Sequence, residues 1–170
     1  MPRIDSFLAE LEHEAALTRR LLERVPEARL EFKPHERSMT LGRLAGHVAE
    51  MPLWGTMTLT TDELDLAART DLESFTARDR AGLLARFDRE VEAFREAARG
   101  RDDDELRAVW RLRQGDRIFF ELPRAAVLRT WVLNHLVHHR GQLTVYLRLL
   151  DVPLPAIYGP SADEEPGPPG

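Results

Sequence analysis

The sequence contains no cysteine among its 170 residues. This absence excludes disulfide bonds, thiolate ligands for a metal and a cysteine nucleophile. The sequence also lacks any apolar run that approaches the ~20 residues needed by a membrane-spanning helix. Its first residues carry no apolar stretch of the kind found in a signal peptide, which predicts a cytoplasmic protein without a membrane partner.

Basic residues do not outnumber acidic ones. The chain has 24 lysines and arginines against 29 aspartates and glutamates, and its formal net charge is −5. An excess of carboxylates repels a phosphate backbone unless a basic stripe is set apart from them. Because acidic and basic residues alternate along the predicted helices, the charge pattern predicts no nucleic-acid partner.

Several sequence signatures of catalysis are also missing. The chain has no glycine-rich phosphate loop, no HExxH zinc motif, no GxSxG nucleophile elbow and no paired Glu-x-x-His motifs of a di-iron bundle. Any chemistry that the protein performs is therefore expected to come from a metal site of another design.

Apolar residues recur at spacings of three and four in four long segments, the pattern of one buried helical face. These segments cover residues 4–25, 40–60, 80–99 and 123–150. Four amphipathic helices in a chain of this length predict an all-α four-helix bundle. The connections in the middle of the chain are too long for a simple up-and-down bundle, which predicts long crossover connections and a non-sequential helix order.

The remaining segments complete the predicted organisation of the chain. Residues 101–122 carry a pattern that suggests a short hairpin between the third and fourth helices. We expect a single domain over residues 1–158. A flexible tail rich in proline, glycine and acidic residues is predicted for residues 159–170.

Proline and glycine positions refine the predicted helices. Pro52 lies inside the second helical pattern and predicts a kink or a new segment there. Gly42 and Gly46 would let another helix approach the second helix closely. Gly141 weakens the fourth helix, which suggests that another backbone or a ligand comes close to it.

Three histidines lie on inward helical faces. His135 and His139 are four residues apart, so both side chains project from one face of the fourth helix at a spacing that suits one divalent ion. Two buried histidines bonded to backbone or carboxylates would explain this pair equally well. His47, between Leu44 and Met51 on the second helix, favours the metal interpretation, because three imidazoles from two helices match an open three-ligand site.

Neighbouring residues offer supporting roles. His138 lies within reach of His135 and could replace a ligand, bind substrate or face a neighbouring helix. Glu50, one turn after His47, could accept a hydrogen bond from its imidazole or bind the metal itself, and a solvated carboxylate is the plainer alternative. Arg140 could pair with Glu50, bind an anionic cosubstrate or lie exposed.

Three stretches of the chain resemble one known superfamily. Residues 134–143 (NHLVHHRGQL) resemble the signature helix of the DinB/YfiT-like superfamily, and residues 40–50 resemble its first ligand helix. Residues 152–163 are similar to the segment that closes many members. The resemblance implies a four-helix bundle with crossover connections, often dimeric, in which three histidines hold one divalent ion (zinc, nickel or iron). The ligands that it implies are His47, His135 and His139.

Characterised members of this superfamily include transferases that use bacillithiol, mycothiol or glutathione, and a thiol-dependent maleylpyruvate isomerase. The resemblance implies a metal-dependent S-transferase that acts on a small electrophile with a low-molecular-weight thiol as cosubstrate, and His138 or Glu50 could then move a proton. The alternatives are a hydrolase that uses metal-bound water and a non-enzymatic metal-binding or stress-response bundle. A homodimer is expected.

Overall fold

A computed structural model describes residues 3–68 and 74–165 of the chain. Long helices lie where the apolar periodicity predicts them: α1 (Arg3–Leu22), α2 (Leu41–Thr60) and α3 (Arg80–Ala98). The short helix α4 (Asp103–Arg107) follows. The fourth long stretch is composite, because a short helix α5 (Arg124–Val127), a π-helical segment (Leu128–Leu133) and helix α6 (Asn134–Leu149) succeed one another without a break.

Two of the long helices begin at side-chain caps. The Thr40 hydroxyl accepts a hydrogen bond of 3.1 Å from the backbone N–H of Arg43 at the start of α2. The Asp79 carboxylate accepts one of 2.6 Å from the backbone N–H of Gly82 at the start of α3. Such caps satisfy N–H groups that have no partner inside a helix, which fixes where each helix starts.

The helices do not pack in the order of the sequence. Both α1 and α2 pack against α3 and α6, so α1 and α2 lie diagonally across the bundle. The connection from α1 to α2 and the one from α3 to α6 therefore join diagonal helices and cross over, whereas α2 and α3 are neighbours. Among the described residues, no helix is both long and apolar enough to cross a membrane.

The prediction of an all-α fold is wrong in one respect, because a three-stranded sheet covers one end of the bundle. Strands β2 (Val109–Gln114) and β3 (Arg117–Pro123) form the expected antiparallel hairpin, with Gly115 at a φ of 58° in the turn. Strand β1 (Glu63–Asp65), which the sequence did not predict, pairs with β2 in parallel. It is too short for a clear alternation and depends on distant residues for its pairing.

Arg113 provides two of the contacts that hold β1 on the sheet. Its guanidinium binds the Glu63 carboxylate at 2.7 Å and the Asp65 carboxylate at 2.5 Å. The carboxylates and the arginine are separated by about fifty positions in the sequence. This distance explains why a local pattern could not reveal the strand.

Helix α2 is the most deeply packed element and departs from two expectations. It runs through Pro52 as one continuous helix, so no new segment begins there, and the alternative of a kink stays a prediction. The groove at Gly42 and Gly46 receives residues 75–77 of the link that follows α2, rather than another helix. A Cβ atom at Gly46 would lie 2.2 Å from the carbonyl oxygen of Phe75, and one at Gly42 would lie 2.9 Å from that of Ala77.

The apolar side chains form three clusters. One lies between the long helices, one lies where α1 and α3 meet the π-helical segment, and one lies beneath the sheet. Trp54 of α2 packs against all three clusters. The tryptophan therefore sits where the helical core and the sheet join.

After α6 the chain returns along the bundle. Asp163 pairs with Arg148 of α6, and Glu164 pairs with Arg20 of α1. The Ser161 hydroxyl also donates a hydrogen bond of 2.7 Å to the carbonyl of Leu154. These contacts fall inside the predicted tail, whose last residues, 166–170, lie outside the described part of the chain. The flexibility of the tail and the boundary at residue 158 stay predictions.

Candidate metal centre

The structure brings His47 of α2 together with His135 and His139 of α6. One ring nitrogen from each histidine lies within 4.8 Å of the other two. The ring centroid of His47 is 5.3 Å from that of His135 and 4.5 Å from that of His139, and the last two are 4.6 Å apart. Side chains that are distant in sequence thus share one small space inside the bundle.

Hydrogen bonds hold two of these rings from the outside. The Nδ1 atom of His47 lies 2.9 Å from a Glu50 carboxylate oxygen, and the Nδ1 atom of His139 lies 2.8 Å from Oε1 of Gln142. Because both acceptors are oxygens, each Nδ1 carries the proton, and each Nε2 is left with a free lone pair. The Nε2 atoms of His135 and His139 lie 2.8 Å apart.

The two histidines of α6 are poor bases in this environment. Burial lowers the pKa of His139 to about 4, aided by the neighbouring histidines and opposed by the hydrogen bond to Gln142. Burial also lowers the pKa of His135, aided by the charges of His47 and His138 and opposed by a hydrogen bond to the backbone of Trp131. Both rings are therefore neutral at pH 7, which is the form that binds a metal.

Glu50 is buried and fully engaged, so the alternative of a solvated carboxylate is wrong. It accepts hydrogen bonds from Arg43 at 3.0 Å and from the backbone N–H of Phe75 at 2.9 Å, besides the contact with His47. Burial raises the pKa of this carboxyl, but the hydrogen bonds and the charge of Arg43 outweigh it, and the pKa is lowered. Glu50 is thus a charged acceptor that orients His47.

His138 lies beside the cluster but outside it. The residue is exposed, and its ring centroid is 4.9 Å from that of His139. Its Nε2 atom lies 3.1 Å from the side-chain amide of Gln142. Of the alternatives left open by the sequence, replacement of a ligand by His138 is the one that this placement disfavours.

Arg140 faces away from the three histidines, towards α1. It is 2% exposed and pairs with the Glu14 carboxylate at 2.6 Å. Its guanidinium also donates to the Thr18 hydroxyl at 3.1 Å and to the hydroxyl of Tyr158. Two of the alternatives left open by the sequence, a pair with Glu50 and an exposed arginine, are therefore wrong. An anionic cosubstrate would have to displace Glu14, so we assign Arg140 a structural role.

Sequence reasoning missed the outer hydrogen-bond partners of the site. Gln142 could have been found, because it follows His139 by three residues on the same helix. Arg43 precedes Glu50 by seven residues, which is also compatible with one helical face. The N–H of Phe75 carries no signal in the sequence, since any residue except proline has one.

The donor set fits a divalent ion. Two nitrogen ligands on one ion, each at ~2.0–2.1 Å from it, lie about 3 Å from each other, and the Nε2 atoms of His135 and His139 are already 2.8 Å apart. The rings of His135 and His139 are neutral at pH 7, and the Glu50 carboxylate behind His47 fixes the direction of its ring. The same ligand chemistry suits zinc, nickel and iron.

A helical bundle with crossover connections and three converging histidines defines a class of candidate metalloproteins, and sequence comparison places the chain within it. The family model described as "DinB family" matches residues 1–167, so the chain belongs to the DinB family. The resemblance seen in the three sequence stretches is thereby confirmed.

Individual relatives agree with this assignment. The uncharacterized protein YrdA of Bacillus subtilis is 28% identical over 165 residues, which cover 95% of this chain and 91% of YrdA. A DinB-like protein from Bacillus cereus has a crystal structure that matches with a TM-score of 0.69 at 24% identity, over 91% of this chain and 97% of that one.

A further solved structure is similar in fold. YfiT of Bacillus subtilis is described as a probable metal-dependent hydrolase with an unusual four-helix bundle topology. It matches with a TM-score of 0.59 at 19% identity, over 88% of this chain and 89% of YfiT. At this level of identity the likeness shows the shared fold.

Proposed function

We propose that this protein is a metal-dependent enzyme in which His47, His135 and His139 hold one divalent ion. The observation that carries the proposal is the convergence of one nitrogen from each ring within 4.8 Å. Three protein ligands leave a coordination position for a small molecule, which is typical of catalytic rather than structural sites. Imidazole ligands do not select among zinc, nickel and iron.

The proposed reaction is the transfer of a low-molecular-weight thiol to a small electrophile. A divalent ion supplies Lewis acidity, which lowers the pKa of a thiol or a water molecule that it coordinates. The chain has no cysteine, so the sulfur would arrive with the cosubstrate. Hydrolysis is the second candidate, and the description of YfiT as a probable metal-dependent hydrolase supports it.

We assign supporting roles to two residues beside the histidine cluster, His138 and Glu50. His138 is the proposed proton acceptor, because it is exposed and lies beside His139 without belonging to the nitrogen cluster. Glu50 is held by Arg43 and Phe75 and has a lowered pKa, so it orients His47 rather than exchanging a proton with substrate.

The proposal includes a homodimer, as the resemblance implies. Val145 and Leu149 lie on the outer face of α6 and are each 57% exposed. Apolar side chains one turn apart on an open helix face suit contact with a second copy of the chain. The cytoplasmic location and the absence of a nucleic-acid partner stay predictions.

Turnover assays can test the reaction. Metal-supplemented, untagged protein would be incubated with glutathione or bacillithiol and a panel of epoxides and halogenated electrophiles, and the conjugate would be detected by mass spectrometry. The proposal predicts conjugates that depend on both thiol and metal. Product release from esters or amides without thiol would instead support hydrolysis, and no turnover in either assay would favour a non-enzymatic metal-binding protein.

A His138→Gln variant tests the proposed proton acceptor. Loss of a general base typically slows a reaction by ~100-fold or more. We expect this variant to keep its metal content and lose turnover by about that factor, whereas His139→Gln should lose both. Equal turnover in His138→Gln and the parent protein would remove His138 from the mechanism.

A further inference from the structure

An aromatic surface lies beside the three histidines. Trp131 precedes His135 by one helical turn, and the centroids of the two rings are 6.4 Å apart at an interplanar angle of 41°. Both residues are partly exposed. A small molecule that reaches the ring of His135 is therefore close enough to contact the indole of Trp131 as well.

Other aromatic rings hold Trp131 in place. Its ring lies 4.7 Å from Trp54 of α2 in a T-shaped contact, 5.7 Å from Phe120 of β3 and 6.1 Å from Trp110 of β2. The contacts with Trp54 and Phe120 are edge-to-face, an arrangement that is favourable beyond the area it buries. Because the indole is fixed in advance, a ligand that stacks on it loses little affinity to the ordering of side chains.

The backbone around Trp131 is also unusual. The residue lies in the π-helical segment Leu128–Leu133, directly before α6, which carries the two histidines. π-Helical turns are rare and occur frequently at functional sites. The π-helical segment thus places Trp131 between the sheet and the helix that carries His135 and His139.

The helical residues that flank the indole contribute no unpaired charge. Helix α2 has no charged residue between Glu50 and its end at Thr60. Arg129 is the one charged residue of the π-helical segment, and it pairs with Glu10 of α1. A ligand group that lies against Trp131 therefore meets apolar rings, which suits an uncharged group.

We infer that Trp131, backed by Trp54, forms a binding surface for a planar, uncharged group of the substrate, such as an aromatic ring or a conjugated chain attached to the reacting group. The inference deepens the proposed function and rests on it for the position of the reacting group. It assigns Trp131 a role in specificity, since the indole contacts the part of the substrate that does not react.

Three hydroxamates test this surface, because they share one metal-binding group and differ only in the attached substituent. Binding of acetohydroxamate, cyclohexanecarbohydroxamate and benzohydroxamate to metal-supplemented and metal-free protein would be measured by titration calorimetry. We expect benzohydroxamate to bind about fivefold more tightly than the saturated ring compound, which is the size of one aromatic contact.

Substitutions of Trp131 test whether the preference for a planar ring depends on this residue. Trp131→Leu should abolish the preference for the planar ring, and Trp131→Phe should keep most of it. Trp110→Phe is the matched control, since Trp110 is completely buried in the same aromatic cluster and should not contact the ligand. Melting curves would show that each variant is folded.

Each outcome has a definite meaning. Equal affinity for benzohydroxamate and cyclohexanecarbohydroxamate, or a preference that survives Trp131→Leu, would overturn the inference. A third outcome is that acetohydroxamate fails to bind while benzohydroxamate still shows a preference that depends on Trp131 and does not need metal. This result would contradict the proposed metal site but would support the binding surface at Trp131. If Trp131→Leu does not fold, a crystal structure with benzohydroxamate decides: the phenyl ring should lie ~4.5–7 Å from Trp131, and a ring bound elsewhere contradicts the inference.

Discussion

Glu50 joins helix α2 to the link that follows it, at the histidine cluster. Its carboxylate accepts hydrogen bonds from His47, from Arg43 of the same helix and from the backbone of Phe75 in the following link. An oxygen acceptor behind a ligating imidazole fixes the tautomer and the direction of the ring. The orientation of His47 therefore depends on a residue that does not itself face the other histidines.

The substitution Glu50→Gln tests this role. Removing the acceptor behind a ligating histidine typically weakens metal binding by ~10–100-fold, and the lower end is expected here because an amide oxygen can still accept one bond. Competition with a chromophoric chelator would measure the affinity. Glu90→Gln is the matched control, since Glu90 is also buried but pairs with Arg86 on α3. An equal loss in both variants would contradict the role of Glu50.

The lowered pKa of His139 predicts how the metal-free protein responds to acid. Burial lowers this pKa to about 4 in the folded state, and it returns to ~6.5 when the chain unfolds. Between these values the unfolded chain binds more protons, so the free energy of unfolding should decrease as the pH falls from about 6.5 to about 4. The lowered pKa of His135 acts in the same direction.

Urea unfolding in the presence of chelator, at several pH values across this window, would measure the effect. The variant His139→Gln has no titratable group at position 139. Its free energy of unfolding should therefore depend less steeply on pH across this window. Identical slopes for the variant and the parent protein would show that His139 is not buried in its neutral form.

The three histidines could be identified from the sequence because they lie on regular helices, where spacing decides direction. Their partners could be identified only in part. Glu50 and Gln142 lie one turn from a histidine, whereas the N–H of Phe75 approaches from a separate segment. The partner of Arg140, Glu14, is 126 positions away, and no local pattern connects the two.

At the scale of elements, two glycines in helices have opposite surroundings. A Cβ atom at Gly46 of α2 would lie 2.2 Å from the Phe75 carbonyl oxygen, whereas one at Gly141 of α6 would have no atom of the described residues within 4 Å. The expectation that a backbone approaches Gly141 is therefore wrong, and the close approach occurs at Gly46. The helix pattern alone could not tell these two glycines apart.

The matched pair Gly46→Ala and Gly141→Ala makes this difference measurable. Alanine in an exposed helix position stabilises by ~0.5–1 kcal/mol relative to glycine, so Gly141→Ala should raise the free energy of unfolding by about that amount. Gly46→Ala should lower it by ~1–3 kcal/mol, because the backbone at Phe75 must move. Urea unfolding checks both, and stabilisation by Gly46→Ala would contradict the observed packing.

The long helices follow from periodicity, and the hairpin from its turn residues. Strand β1 and the π-helical segment could not be predicted from local sequence, because both depend on contacts with residues that are distant in the chain. β1 relies on Arg113 of the neighbouring strand. Pro52 likewise lies inside α2 without ending it, and both Pro52 and its neighbour Met51 are buried.

At the scale of the whole molecule, a buried ion pair ties the two ends of the chain together. Glu14 of α1 binds Arg140 of α6, and the hydroxyl of Tyr158 in the C-terminal segment donates a hydrogen bond of 2.8 Å to the same carboxylate. Thr18 completes the set with a bond of 3.1 Å from Arg140. Because Arg140 adjoins His139, this contact also fixes the helix that presents the two neighbouring ligands.

The substitution Glu14→Ala should destabilise the whole fold. It leaves a buried arginine without its carboxylate, which typically costs ~3–5 kcal/mol. Glu12→Ala on the same helix is the control, because Glu12 is exposed and pairs with Arg95 at the surface, where a pair contributes less than about 1 kcal/mol. Urea unfolding of both variants measures the difference, and equal losses would contradict a structural role for the buried pair.

The most direct test of the metal centre is the metal content of untagged protein, measured by elemental analysis after gel filtration. The parent protein should retain about one divalent ion per chain, as expected for a single three-histidine site. The folded double variant His47→Ala/His139→Ala should retain none. A parent protein that never retains an ion, or a variant that retains as much as the parent, would contradict the account.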